Sequence, residues 1–254
     1  MELLSRRHFT DRLLGSFMMF SLVETLSYGG GLSKSVAPIA KHWLAEVEEI
    51  SRAMADQKAR QIEWQQKLAE LFARVELKDL LRDIDFERLS KTVKFPDDHE
   101  GVVPTKPKCP VALPEELSFS TFIYGMKKGR AIVPHCHRNM TSMHMPIGGE
   151  LHGWHYDRLA DEPGHVIVKP TLDRALKLGE VTTISDEKDN VHWFKATSEA
   201  AFTFNIGVYG INPAVKTVGR QFYLDPRGGE KLSDGSLRVR HLTMKDAHKL
   251  YGNS

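Results

Sequence analysis

Five of the chain's twelve histidines lie within residues 133–159, VPHCHRNMTSMHMPIGGELHGWHYDRL. His135 and His137 are two residues apart in a strand-like stretch, so both imidazoles point to the same face of a sheet. Cys136 points to the opposite face and is not expected to bind the same ion. Two imidazoles on one face supply half of a first-row metal site. His192, which opens a later strand-like run, is the expected third ligand.

By itself, an H-x-H pair with a distant histidine is a weak indication of a metal. A metal-free barrel whose histidines hydrogen-bond internally is an alternative, as is a pair on a solvent-facing strand. The cluster of Met140, Met143 and Met145 favours copper if its thioethers face an ion. At strand spacing, Met143 and Met145 are also typical of residues that pack one face of a barrel.

The elements that must position these histidines lie between residues 118 and 210. About eight short runs rich in Phe, Ile, Val and Thr alternate there with Gly, Pro and Asp. This pattern indicates an antiparallel sandwich or barrel, and a jelly-roll barrel is favoured because it removes most sheet edges. The fold class is therefore predicted to be mainly β, with a barrel domain over residues 95–225. An irregular segment with five prolines, residues 95–114, leads into it.

Helical segments precede and follow the predicted barrel. Between Lys41 and Lys94 no Gly or Pro interrupts an apolar spacing of three and four residues, which predicts a helical extension over residues 36–94. The tail, residues 226–254, follows the strand-like RQFYL at 220–224 and contains TMKDAHKLY, which is typical of a short helix.

The first 35 residues predict an export signal. Arg6 and Arg7 precede a short apolar run over residues 13–23, in the order found in a twin-arginine signal. The run is too short for a stable membrane span. The expectation is an exported protein, periplasmic or anchored by its signal, and a cytoplasmic protein if residues 1–35 are instead an amphipathic first helix.

Composition excludes several classes of partner and scaffold. With 41% hydrophobic and 27% charged residues, the 254-residue chain is typical of a soluble globular protein. The net charge of +2 argues against nucleic acid as a partner. The two cysteines, Cys109 and Cys136, rule out a disulfide framework.

The spacing around the first histidine pair resembles that of the cupin family. Five residues separate Gly129 from His135, and another histidine follows His137 after about fifty residues. In most cupins three or four residues separate the second histidine from a glutamate, and this chain has Thr141 and Ser142 at those places. The resemblance therefore implies a cupin-type jelly-roll (double-stranded β-helix) barrel with a site made of three histidines and no carboxylate.

A longer pattern is similar to thiol dioxygenases of the 2-aminoethanethiol dioxygenase and plant cysteine oxidase type. It has the form H-x-H-x-x-M-T, seven residues, then G-x-L-H-x-x-x-Y-D, and a second motif has the form N-[IV]-H-x-F-x-A. The resemblance covers residues 118 to about 210. The matching residues are His135, His137, Met140, Thr141, Gly149, Leu151, His152, Tyr156 and Asp157, then Asn190, Val191, His192, Phe194 and Ala196.

This resemblance implies that the three histidines bind Fe(2+) and that the protein uses O₂ to oxidise a small or N-terminal thiol to a sulfinic acid. No residue is assigned a catalytic role. Where the family carries an Asp after the third ligand, this chain has Phe204 and Asn205, so an amine-recognising carboxylate is not implied. His144, His155 and His165 are expected at surface or strand-face positions. Residues expected near the metal or substrate are Met140, His152, Tyr156, Asn205 and Tyr209.

Two alternatives remain at this point. One is another metallocupin enzyme, such as a ring-cleaving dioxygenase or an isomerase that uses manganese, nickel or zinc. The other is a non-catalytic exported cupin that binds a small ligand or stores metal. The missing carboxylate ligand disfavours an ordinary cupin site in either case.

Overall fold

A computed structural model describes residues 36–93, 95 and 117–252. The predicted export signal, Cys109 and nearly all of the proline-rich segment lie outside these residues. Within the described ranges, no helix combines the length and the apolar character needed to cross a bilayer.

Eight strands form two antiparallel sheets that face each other. The strands are β1 (Ser120–Lys127), β2 (Ala131–Arg138), β3 (Met140–Gly148), β4 (Leu151–Glu162), β5 (His165–Leu176), β6 (Thr182–Ile184), β7 (Val191–Ala196) and β8 (Ala200–Tyr209). In one sheet the order is β1-β8-β3-β6, and the other contains the order β5-β4-β7-β2. The strands therefore pair as 1 with 8, 2 with 7, 3 with 6 and 4 with 5. This nested pairing is the topology of a jelly roll, so the predicted mainly-β barrel is confirmed.

The larger sheet continues into the C-terminal part of the chain. β9 (Gly219–Leu224) pairs with β2, and β10 (Glu230–Lys231) pairs with β11 (Leu237–Leu242). β11 pairs with both β5 and β9, so the larger sheet closes on itself. The final helix, α5 (Met244–Tyr251), buries Ala247 and Tyr251 in the core of this closed part. That core lies on the face of the sheet opposite to His135 and His137.

The helical extension covers the outer face of the smaller sheet. It consists of α1 (Val36–Ala55), α2 (Gln61–Phe72), α3 (Leu77–Asp83) and α4 (Phe86–Thr92). Trp43 of α1 contacts Phe72 and Phe204 of β8, with ring centroids 5.7 and 6.4 Å apart. Burying each such aromatic side chain contributes about 1.5–3 kcal/mol to folding. The extension therefore holds one wall of the barrel in place.

Strand alternation decides which side chains reach the interior between the two sheets. Met143 and Met145 of β3 face the helices in a common apolar cluster with Phe204. The residues between them face the barrel interior. A separate apolar cluster, which includes Ile132 and Phe194, fills part of that interior.

Candidate metal centre

The structure brings His135, His137 and His192 together inside the barrel. One potential ligand atom from each imidazole lies within 4.8 Å of the others. The ring centroids are 4.6 Å apart for His135 and His137, 4.4 Å for His135 and His192, and 5.2 Å for His137 and His192. His135 and His192 are direct cross-strand partners in the β2–β7 pair. This is the set that the sequence spacing predicts.

An irregularity in β2 determines which face of the sheet these imidazoles occupy. In the β2–β7 pair Ile132 lies opposite Phe194, but the next aligned residues are His135 and His192, so β2 contains one extra residue. Such a bulge lets Ile132 and His135 share a face although they are three residues apart. Pro134 lies in this stretch, where the missing N–H of proline costs no ladder hydrogen bond.

The loop before His192 is fixed by residues of the resemblance motifs. The Asn190 side-chain amide donates to the carbonyls of Ser185, at 2.8 Å, and His137, at 3.1 Å. The Asp157 carboxylate accepts a hydrogen bond from the backbone N–H of Asp189 at 2.8 Å. These hydrogen bonds fix the loop before His192 and connect it to the backbone of His137.

Hydrogen bonds orient two of the three rings for metal binding. Nδ1 of His135 lies 2.7 Å from the Val133 carbonyl, and Nδ1 of His192 lies 3.4 Å from the Asn190 carbonyl. Since a carbonyl only accepts, each Nδ1 carries the hydrogen and Nε2 keeps a lone pair for a metal. Nδ1 of His137 is buried and has no hydrogen-bond partner among the described residues. The donor set therefore fits a metal ion.

The electrostatic environment keeps the three rings neutral. Burial lowers the pKa of His135, His137 and His192 well below the usual histidine value. The positive charge of Arg220 and the neighbouring imidazoles lower these pKa values further. Neutral imidazole is the form that binds metals, so the site is ready for an ion at neutral pH.

Two further histidines line the same interior. The ring centroids of His144 and His155 lie 5.0 and 5.9 Å from that of His192. Their side chains are buried at strand-face positions and not at the surface, which is one of the two placements expected for them. Burial lowers the pKa of His155 to about 3 and that of His144 well below its usual value. Strand alternation predicts the interior position of His144, because this residue lies between two methionines that face the helices.

Several buried polar atoms around these histidines have no hydrogen-bond partner in the part of the chain that the structure describes. Asn205 lies directly opposite His144 in the β3–β8 pair. Buried polar atoms without a hydrogen bond cost free energy, so such atoms normally bind water or a ligand. The interior therefore offers polar contacts to a bound molecule. The unpartnered atoms are Nδ1 of His144, Nε2 of His155, Oγ1 of Thr203 and Oδ1 of Asn205.

Met140 and Tyr209 also belong to the interior face, as the sequence predicts for residues near the site. They are register partners at the start of β3 and the end of β8. A Cβ atom on Gly207 would lie 2.8 Å from the Tyr209 ring, so glycine is required for this ring position. Burial raises the pKa of Tyr209, which keeps its hydroxyl neutral.

His152 and Tyr156 do not face the three ligands, which corrects their expected place near the metal or substrate. Nε2 of His152 lies 2.7 Å from the Asp173 carboxylate, and its ring stacks on Trp154 at 4.0 Å. Tyr156 belongs to the apolar cluster that α5 covers. The reason is the alternation of β4, which places both on the face opposite to His155.

Cys136, Met143 and Met145 point away from the three ligands. Cys136 is a free, buried thiol on the opposite face, and burial raises its pKa. Met143 and Met145 pack against the helical layer. Among the described residues, the histidine site therefore has no thiolate, and these two thioethers are not directed at it.

Comparisons with known proteins add little to this geometry. No family model matches the sequence, and no curated protein matches it. Procruciferin, an 11S globulin from Brassica napus, is 16% identical over 36% of this chain and 21% of its own, with a TM-score of 0.29. Oxalate oxidase in complex with glycolate is 21% identical over 38% of this chain and 44% of its own, with a TM-score of 0.30. KdgF from Halomonas sp. is 11% identical over 36% of this chain and 69% of its own, with a TM-score of 0.28. The matched region thus spans less than half of the globulin and oxidase chains. The fold assignment depends on the strand pairing and not on these similarities.

Proposed function

We propose that the protein is an iron(II)-dependent thiol dioxygenase that oxidises a small or N-terminal thiol to a sulfinic acid. The observation that carries the proposal is a buried site of three neutral imidazoles, to which no carboxylate belongs among the described residues. The gap-free motif register around His135 and His192 supports it. In the reaction, R–SH and O₂ give R–SO₂H. The sulfur loses four electrons to O₂, both oxygen atoms enter the product, and no further reductant is needed.

Iron bound to three protein ligands would supply neighbouring open positions for a thiolate sulfur and for O₂. The protein's own contribution is to hold those ligands neutral and to shape the space beside them. Three neutral imidazoles leave the charge of a divalent ion uncompensated, which favours an anionic thiolate. Ile132 and Phe194 provide an apolar wall that excludes water. His144 and Asn205 offer polar atoms to the rest of the substrate.

The experiment combines metal analysis with O₂ uptake. Purified protein is assayed for iron and then for O₂ consumption with cysteamine, cysteine, 3-mercaptopropionate and a Cys-initiated peptide. We expect about one iron per chain, O₂ uptake with at least one thiol, and a sulfinate product. Iron-loaded protein that oxidises none of these thiols would contradict the dioxygenase proposal and favour a ligand-binding protein.

A matched pair of variants tests the ligands. His192→Ala removes a proposed ligand and is expected to abolish iron binding. His152→Ala removes a histidine from the opposite face of the same sheet, and its partly exposed pair with Asp173 is worth at most about 1 kcal/mol. It should retain full iron content. Equal iron content in the two variants would exclude His192 as a ligand.

We further propose that the folded, metal-loaded protein is exported through its twin-arginine-like N-terminus. The order of Arg6, Arg7 and the apolar run supports this proposal. Cell fractionation of the natural chain and of the double variant R6K/R7K tests it. Export should be lost in the double variant, and equal distribution of the two proteins would contradict the proposal.

A further inference from the structure

The side of the site that reaches solvent carries an arginine. Arg220 of β9 lies directly opposite His137 of β2, and directly opposed residues in antiparallel strands share a face. Arg220 is exposed and His137 is partly exposed, whereas His135 and His192 are almost fully buried. The guanidinium therefore stands where the histidine site opens to solvent.

A bulge in β9 produces this placement. Cys136 lies opposite Phe222, and His137 lies opposite Arg220, so Gln221 is the extra residue. The Gln221 side chain binds Arg158, whose guanidinium also lies near the Cys136 thiol on the other face. The irregularity thus separates Gln221 from the face that Arg220 shares with the ligands.

The Arg220 guanidinium is held in place but not neutralised. Its Nη1 donates to the Tyr223 hydroxyl at 2.9 Å, and its central carbon lies 5.2 Å from the Tyr223 ring centroid. In the ranges that the structure describes, no carboxylate lies within ion-pair distance of it. Nine other arginines each have such a partner: Arg52, Arg60, Arg74, Arg82, Arg88, Arg158, Arg174, Arg238 and Arg240.

The charge of Arg220 acts on the barrel interior, and no acidic side chain faces that interior from β2, β3, β7 or β8. Arg220 opposes the burial that raises the pKa of Tyr124 to about 12. The interior-facing positions on these four strands include neither Asp nor Glu.

We propose that Arg220 binds the carboxylate of the substrate, so that the thiol oxidised is a mercaptocarboxylate rather than an aminothiol. This inference rests on the proposed dioxygenase function. A planar guanidinium matches a carboxylate with paired hydrogen bonds, and its outer position leaves the thiolate end to face the buried imidazoles. An ammonium group in the same place would meet a like charge, which disfavours binding.

The test compares three thiols of similar size on the iron-loaded full chain: 3-mercaptopropionate, 2-mercaptoethanol and cysteamine. We expect the highest kcat/KM for 3-mercaptopropionate and the lowest for cysteamine. Arg220→Gln should raise KM for 3-mercaptopropionate about 10- to 100-fold, the usual effect of losing hydrogen bonds to a charged group. Its KM for 2-mercaptoethanol should change less than about threefold, since that thiol lacks a carboxylate. Arg238→Gln is the matched control, because Glu162 already neutralises Arg238 at 2.6 Å.

A binding measurement separates failure of this inference from failure of the proposed function. Calorimetric titration of the iron-loaded protein with propionate, which has no thiol, should show binding that Arg220→Gln abolishes and Arg238→Gln retains. Preference for cysteamine, or equal KM changes for all three thiols, would overturn the role of Arg220 while the dioxygenase activity stands. If no thiol is oxidised, the dioxygenase proposal fails. Propionate binding that is equal in the natural chain and in Arg220→Gln would in addition contradict the carboxylate site.

Discussion

Asp225 connects the C-terminal helix to the larger sheet, and its replacement by Asn should destabilise the protein in a pH-dependent way. Its buried carboxylate accepts hydrogen bonds from the Tyr251 hydroxyl at 2.7 Å and from Nε and Nη2 of Arg240 at 2.9 and 2.8 Å. Hydrogen bonds to charged groups contribute about 1.5–3 kcal/mol. Because Arg240 is largely exposed, we expect Asp225→Asn to lower the free energy of unfolding by about 2–3 kcal/mol at pH 7.

The sign of the pH dependence follows from the pKa of Asp225. Burial alone would raise this pKa, but the hydrogen bonds from Tyr251 and Arg240 outweigh burial and lower it below the usual aspartate value. A group whose pKa is lowered by folding stabilises the protein above its unfolded-state pKa, about 3.9 for Asp. That stabilisation is lost as pH falls through the lower folded-state pKa. The difference between the natural chain and the Asn variant should therefore be largest above about pH 5 and shrink below about pH 4.

Urea denaturation of both proteins at a series of pH values measures this difference. Tyr251→Phe is the control, because it removes one neutral donor and keeps the Asp225–Arg240 ion pair. It removes the hydrogen bond to the Asp225 carboxylate and the one that the hydroxyl accepts from the Arg227 backbone N–H, so it should cost about 1.5–3 kcal/mol, while the part of the pH dependence that depends on Arg240 should remain. A stability difference between the natural chain and the Asn variant that stays constant from pH 7 to pH 3 would refute the reasoning.

Two further predictions concern the barrel walls. Phe204→Ala leaves a cavity beside Trp43 and should lower the free energy of unfolding, measured by urea titration, by about 3–5 kcal/mol. Its iron content should not change, and loss of iron would show that the helical layer shapes the metal site. Gly207→Ala should displace the Tyr209 ring and lower the free energy of unfolding by about 1–3 kcal/mol. It should also raise KM for the thiol several-fold, and an unchanged KM would show that Tyr209 does not contact the substrate.

The sequence predicts the barrel and the shared face of His135 and His137 because both follow from local strand geometry, whereas His192 is expected from the motif spacing. Side-chain alternation within β2 places His135 and His137 on one face wherever the strand pairs. The same rule, applied to β3 and β4, indicates that His144 lies inside and that His152 points away from His155. The motif instead predicts that His152 lies near the metal or substrate, because a matching sequence position does not show which face of the strand a residue occupies.

Other features depend on pairings between distant parts of the chain. The extra residue at Pro134 becomes visible only when β2 is aligned with β7. Arg220 lies 28 residues after His192, in a segment without a recognisable motif, and only the β2–β9 pairing places it beside His137. The closure of the larger sheet by β11 is likewise a long-range contact that short sequence patterns do not encode.

The most direct test of the central claim is the mass of the product formed under isotope-labelled O₂. Iron-loaded protein is incubated with 3-mercaptopropionate and heavy-oxygen O₂, and the product is analysed by mass spectrometry. We expect a sulfinate that carries both labelled oxygen atoms, and no such product from the His192→Ala variant. A product with oxygen from water, disulfide alone, or equal sulfinate from the variant would contradict a three-histidine thiol dioxygenase.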